Sequence, residues 1–294
     1  MTPVSTDQGS IQTTTNPIAV VLVRTISVLG ICLTVLGASG ASAADGNVHA
    51  SYAVSLAGLP LANATLYVAL RGSTYAARVD YRVSGAMRLL SDAAGAASST
   101  GTHKGGRFVP TGFDLDHRSG SRRQKVKLDI ADDGAVKTMS VDPPAVLDSN
   151  QTPIEPKHLI AIVDPLSAFL MAAGKVEGST QAGLCDRALS ILDGLSRYDV
   201  KLEQQGTGTI VQKGFAGNTT VCRVVFKPVA GQIGETGRGR SASPDSDRIL
   251  VTFGRVSTMD LYVPVSVQAQ TQFGRASVAL TEISVDPARS AASR

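Results

Sequence analysis

The chain has 294 residues, with 28 Lys and Arg against 24 Asp and Glu, a net charge of +4, and no Trp. So small a charge permits contact with anionic surfaces without requiring it, and the lack of any basic-plus-aromatic pattern argues against a nucleic-acid binder. Charged residues make up 18%, against about a quarter in ordinary domains, and 29 Gly punctuate the sequence, a composition suited to many short strands and turns.

The N-terminus comes first. An apolar run from Thr25 to Leu36 (TISVLGICLTVL) follows Arg24 and leads into Ala41-Ser42-Ala43. Positive charge, apolar stretch and Ala-x-Ala, in that order, predict a secretory signal peptide over residues 1–43. Counted back to Ile18 the stretch would barely cross a bilayer, and Arg24 interrupts it, so a retained anchor is the weaker reading. Cys32 leaves with the peptide; Ile31 before it does not suit lipidation. Residues 1–17 carry no Lys or Arg, which points to a working start nearer Val20–Val23.

Residues 44–290 are predicted to form one β-rich exported domain, with a tail at 291–294 and no transmembrane segment. The domain holds two cysteines, Cys185 and Cys222. An even thiol count in an oxidising compartment predicts one disulfide, contributing about 4 kcal/mol in the chain-entropy model. Neither cysteine has a C-x-x-C partner or a nearby His, so metal and redox roles have no support and no cofactor is predicted.

Period-two alternation dominates the mature sequence. In "ATLYVALRG", Leu66, Val68 and Leu70 oppose Thr65, Tyr67 and Arg71. In "STYAARVDYRVS", Tyr75, Ala77, Val79, Tyr81 and Val83 share one face and Arg78, Asp80 and Arg82 the other. With "NVHASYAVSLAG" these form a three-stranded meander. Two strands flank Ser119-Gly120-Ser121 and a third comes after Asp133-Gly134. Residues 142–163, with four prolines, break the rhythm and read as an irregular connection.

"DPLSAFLMAAG" then gives the one strong helix start. Asp164 caps, Pro165 suits the first turn and Gly174 terminates, which predicts a buried helix over 164–173. Beyond it come "CDRALSILDGLSRYDV", "TTVCRVVFK", a Gly/Arg-rich loop, and three closing strands. Pro264 inside the middle one of these signals an edge or a bulge. About twelve strands exceed what a flat sheet tolerates. The expected fold is mainly β: a large curved antiparallel sheet, half-barrel or barrel-like, with one or two short helices and one disulfide. The 164–173 helix would plug its concave face.

"CDRALSILDGLSRYDV" contains catalytic-looking letters, but a hairpin explains them better. With Asp193-Gly194 as a two-residue turn, Leu192 faces Leu195, and Cys185, Leu189, Ile191, Tyr198, Val200 and Leu202 share the core face. The polar face then pairs Asp186 with Lys201, Ser190 with Arg197 and Ala188 with Asp199. Asp114 and Asp116 share a strand face as metal ligands could, but His117 points away. Arg118, Arg122, Arg123, Lys125 and Lys127 form a basic run that could meet phosphate or lipid headgroups, although a solvated hairpin tip is the simpler account. The loop "GETGRGRSASPDSDR" lacks a P-loop pattern. The histidines His49, His103, His117 and His158 have no metal-ligand spacing, and no G-x-S-x-G is present.

Taken together, "DPLSAFL" (164–170), "CDRALSILDGLSRYDV" (185–200), "CRVVFKPVAGQ" (222–232) and "YVPVSVQAQTQFG" (262–274) make the chain similar to an uncharacterised family of exported proteins of alphaproteobacterial-type envelopes. The likeness covers residues 47–287. It implies export to a bacterial periplasm and a β-rich fold, and it transfers no active site. At fold level only, the chain also resembles periplasmic half-barrels that carry lipoproteins or lipids. Three functional readings are open. The first is a non-catalytic envelope protein holding a hydrophobic or lipid-like ligand between the sheet and the helix, against Leu166, Phe169 and Leu170. The second is an interaction module in envelope assembly, with an envelope protein as partner. The third is an exported enzyme, for which no nucleophile, base or metal constellation can be assembled.

Overall fold

In the computed structural model, residues 45–104, 107–147, 149, 151–172, 183–231 and 249–287 are described. The expected signal peptide, Cys32, the helix end at Gly174, the 234–248 loop and the 291–294 tail lie outside them.

Among the described residues, fourteen strands form one antiparallel sheet. Seven come before the irregular connection: β1 (Gly46–Leu56), β2 (Leu59–Arg71), β3 (Thr74–Val83), β4 (Ala94–Lys104), β5 (Arg107–Ser119), β6 (Arg122–Ile130) and β7 (Val136–Asp142). After it come the helix α1 (Pro165–Phe169), the short β8 (Met171–Ala172), β9 (Arg187–Leu192) and the long pair β10 (Ser196–Gln212) and β11 (Phe215–Gly231). The chain closes with β12 (Ile249–Val256), β13 (Leu261–Thr271) and β14 (Gly274–Pro287). The spatial order is β7-β6-β5-β4-β3-β2-β1-β14-β13-β12-β11-β10-β9, with β8 on β13. Two meanders therefore meet where β1 pairs β14.

The sheet curls, but its outermost strands, β7 and β9, do not pair with each other. Residues 159–163 cross between them instead. On one side Val136 N–H donates to Leu159 O and Ile162 N–H to Gly134 O. On the other, Val163 N–H donates to Ser190 O and Leu192 N–H to Val163 O. The connection that reads as irregular in sequence thus pairs backbone groups at one end of each edge strand, where they would otherwise be left unpaired. The β10–β11 hairpin adds a second closure: Lys213 bridges to Glu282, and Ile283 N–H donates to Lys213 O. Gly214 takes φ +81° there, and a Cβ would lie 1.7 Å from Ile283 O, so no other residue fits.

The alternation read from the sequence matches the burial. Leu66, Val68, Leu70, Tyr75 and Ala77 point into the main core with Val48, Phe113, Leu128, Leu261, Val263 and Leu280. A second, smaller cluster gathers Ile191, Val200, Leu202, Val251 and Phe253 around Cys185 and Cys222. These two cysteines are bonded, with Cα atoms 5.4 Å apart. Pro264 sits at a bulge between β12 and β13, as expected, and its carbonyl accepts from Tyr52 Oη at 2.9 Å.

Four expectations need correction. The sheet has fourteen strands, not about twelve, because "AGAASSTGTHK" is a full strand made of small residues and because the two-residue β8 leaves no signal in sequence. The helix spans Pro165–Phe169, not 164–173; Leu170 is already extended and the chain enters β8. Phe169 is 44% exposed rather than buried. The 185–202 hairpin keeps its predicted faces but not its pairs: Leu192 faces Arg197, Ser190 faces Asp199 and Ala188 faces Lys201. The reason is a four-residue loop in place of a two-residue turn. Asp193 Oδ1 accepts from Leu195 N–H at 2.8 Å and Ser196 N–H at 2.6 Å, which stabilises the wider turn. A shift of two residues leaves every side chain on its own face.

Candidate functional site

The helix α1 packs against β3, β4 and β5 on one side and β9 on the other, inside the curve of the sheet. Its start is fixed by Asp164, which has no exposed surface. Asp164 Oδ1 accepts from Leu166 N–H at 2.9 Å and Ser167 N–H at 3.0 Å, the N-cap expected from sequence. Its Oδ2 accepts from Ser99 Oγ at 2.8 Å and from Ser167 Oγ. Tyr75 Oη lies 2.5 Å from Ser167 Oγ and 3.1 Å from Ser99 Oγ. Burial pushes the Asp164 carboxyl above the usual range, although its hydrogen bonds pull it down. Burial, and then the Asp164 charge, push Tyr75 up as well. Three hydroxyl protons serve five short contacts among Asp164, Ser99, Ser167 and Tyr75, so an extra proton on the carboxyl is useful. All four residues are buried, and the cluster ties the helix to β3 and β4 rather than presenting a nucleophile.

The opposite flank of α1 is apolar. Pro165, Ala168 and Phe169 face Leu189, Ile191, Tyr198, Val200, Leu202, Val224, Phe226, Ile249, Val251, Phe253 and Val267 across a cleft of about 160 Å³. Four strands, β9 to β12, supply most of this wall through their period-two faces, and the Cys185–Cys222 bridge lies in the same cluster. The cleft exists because α1 is one turn long. Leu166 and Leu170 fill the main-core side, while the cleft side receives the ring of Pro165, the methyl of Ala168 and the half-exposed ring of Phe169. Of the three residues expected to line a cavity, then, Phe169 does so, whereas Leu166 and Leu170 belong to the main core.

The basic run divides. Arg118, Arg123, Lys125 and Lys127 stand on the outer face of β5 and β6, in a groove that also contains Asp114 and Asp116. Lys127 lies opposite Asp114 and Lys125 opposite Asp116. Arg123 grips Asp116 at 2.5 and 3.1 Å, which holds that carboxyl below its ordinary range. Arg122 takes the other face, at the hairpin tip beside Arg88 and Gln124. The five residues are therefore a charge-alternating strand face plus one exposed arginine, Arg122, at the turn, not one anion site.

The histidines remain apart. His49 stacks on Tyr67 with centroids 4.5 Å apart, His117 Nδ1 meets Tyr81 Oη at 2.6 Å, and His158 closes a capping box with Glu155. Among the described residues no three His, Cys, Asp or Glu come together as a metal site. No helix among them is long and apolar enough to cross a membrane. Sequence reasoning missed Ser99 as a partner of Asp164 and Tyr75 as a partner of Ser99 and Ser167, and the Ser-rich β4 was the available signal.

Known proteins bear on this arrangement. No curated protein matches the chain. Among solved structures it is similar to a β-barrel-like protein of DUF1849 from Brucella abortus, with 8% identity over 83% of this chain and 98% of that one, at a TM-score of 0.44. It is also similar to a "putative lipoprotein" from Parabacteroides distasonis, with 10% identity over 83% and 97% and a TM-score of 0.28. Similarity at that level bears on neither activity nor ligand. One family model, described as a protein of unknown function (DUF3108), matches residues 51–281, from β1 into β14, and the chain belongs to that family.

Proposed function

We propose that the protein is a non-catalytic component of the bacterial cell envelope that holds a single apolar group in the cleft between α1 and β9–β12. The observation that carries this reading is the cleft's lining, in which Tyr198 is the one residue with a polar side-chain atom. Burial pushes the Tyr198 phenol up, so it stays neutral and adds no charge to the wall. A void of about 150 Å³ lined by Leu, Ile and Phe stays dry and takes up benzene. Drug-sized ligand pockets begin at about 300 Å³. At about 160 Å³ the cleft suits the end of one acyl chain or one large apolar side chain rather than a whole lipid. Export is supported by the Cys185–Cys222 bond, since such bonds persist in oxidising compartments.

The filled main core favours a second reading, an interaction module whose sheet serves as a scaffold. The two readings separate in one experiment. Protein purified from the envelope under mild conditions is examined by native mass spectrometry and by solvent extraction. A bound apolar chain, lost when Ala168→Leu fills the cleft, supports the first reading. Protein that is always empty favours the scaffold.

A further inference from the structure

Antiparallel strands place alternate turns at opposite ends of the sheet. The turns at 57–58, 84–93 and 120–121 share one end, and the pairing of Leu56 with Ala276 brings the 272–273 turn to it. These connections are tied side by side. Ala57 N–H donates to Arg275 O at 2.8 Å, Ser84 N–H to Leu61 O at 2.9 Å, and Gly120 N–H to Asp92 Oδ1 at 2.7 Å. They make one continuous rim.

This rim carries large apolar side chains pointing into solvent: Leu59 at 68% exposure, Leu89 at 88%, Leu90 at 81% and Phe273 at 64%. Nothing in the fold requires them there, since polar residues would close these turns equally well. Between them stand the exposed Arg88, Arg118, Arg122 and Arg275. Among the described residues none of these four is ion-paired, unlike Arg123, which Asp116 holds. Nearby Asp92 is occupied by the Gly120 amide. At the other end the exposed apolar residues are Val211 and Ile160, and the β6–β7 turn is acidic, with Asp132 and Asp133.

We propose that the 57–58, 84–93, 120–121 and 272–273 rim docks on an anionic phospholipid surface. Leu59, Leu89, Leu90 and Phe273 enter the boundary between headgroups and acyl chains, and the arginines meet lipid phosphates. The chemistry is complementary on both counts: apolar tips gain by leaving water, and each unpaired guanidinium near an anionic surface adds attraction. This surface is separate from the α1 cleft, and either proposal can fail without the other.

The chain contains no Trp, so one introduced indole is a local reporter. Leu89→Trp and, as a control at the other end, Val211→Trp are made in the full chain and mixed with vesicles of phosphatidylglycerol and phosphatidylcholine. The Leu89→Trp emission should shift to the blue and be quenched by brominated lipid, while Val211→Trp should not change. Adding Arg88→Gln and Arg122→Gln should weaken the Leu89→Trp response about twenty-five-fold, at roughly five-fold per arginine. Vesicles of phosphatidylcholine alone should give little response. No shift at position 89, an equal shift at 211, or a response indifferent to lipid charge and to the arginines would each overturn the proposal.

Discussion

The main core draws mostly on β1–β3, β5, β6, β13 and β14 and the Cys185–Cys222 cluster on β9–β12, and the apolar cleft opens in the second. The main core receives side chains from both meanders at once, with Tyr75 edge-on to Phe108 and Leu166 and Leu170 closing from the helix. The smaller cluster faces a helix one turn long, whose contribution there is the Pro165 ring, a methyl and a half-exposed phenyl ring. The means of fixing also differ. A buried hydrogen-bonded carboxylate anchors α1 on the filled side, and a disulfide staples β9's approach to β11 on the open side. A short helix held firmly by polar contacts on one flank can leave an apolar space on the other without loosening the fold.

The contrast can be broken at several points, beginning with the largest effect. Replacing Cys185 and Cys222 with Ala should cost about 4 kcal/mol by urea denaturation, because the bridge closes a loop with a sequence separation of 37. Hydrogen exchange should show protection lost first in β9–β11 and retained in β1–β6; uniform loss would mean that the clusters are not separate. Asp164→Ala should cost about 3 kcal/mol, since it removes an N-cap and leaves buried hydroxyls without an acceptor. Its pH dependence has a definite sign. The folded-state pKa is raised, so the stability Asp164 contributes is fully present below the unfolded value of about 3.9 and declines as pH rises through the folded one. The deficit of Asp164→Asn relative to the native chain should therefore shrink from acidic to neutral pH in thermal melts, and a deficit that grows would refute the buried-carboxylate account.

A volume test separates the clusters more directly. Ala50→Leu in the filled core should cost about 2 kcal/mol through overpacking. Ala168→Leu enters the cleft and should be neutral or stabilise by up to about 1 kcal/mol. Equal penalties for the two would show that the cleft is not open to a side chain. The smallest effect belongs to the outer sheet face. Arg78→Ala, which removes an exposed pair with Asp80, should change stability by about 0.5 kcal/mol or less.

Much of this was legible in the sequence because period two is a local signal. The faces of β2, β3, β9 and β10, the Asp164 cap and the disulfide all come from neighbours or from counting. The failures have specific causes. β4 is built from Ala, Gly, Ser and Thr up to His103 and Lys104, so it carries no hydrophobic alternation and is a strand only because β3 and β5 flank it. The 193–196 loop gained two residues because an Asp side chain can bind amides two and three residues on, which an Asp-Gly pair does not announce. The helix stopped at Phe169 because β13 offers Met171 and Ala172 a strand partner, a contact distant in sequence. The site depended on these long-range facts: Phe169 lines a cleft only because the helix ends there.

The central claim, one filled core beside one open apolar cleft, is tested most directly by titrating benzene into methyl-labelled protein and following the side chains by NMR. The methyls of Ile191, Val200 and Val251 should shift and saturate together, and Ala168→Leu should abolish the response. Shifts centred instead on Val68, Leu128 and Leu280, or none anywhere, would contradict it.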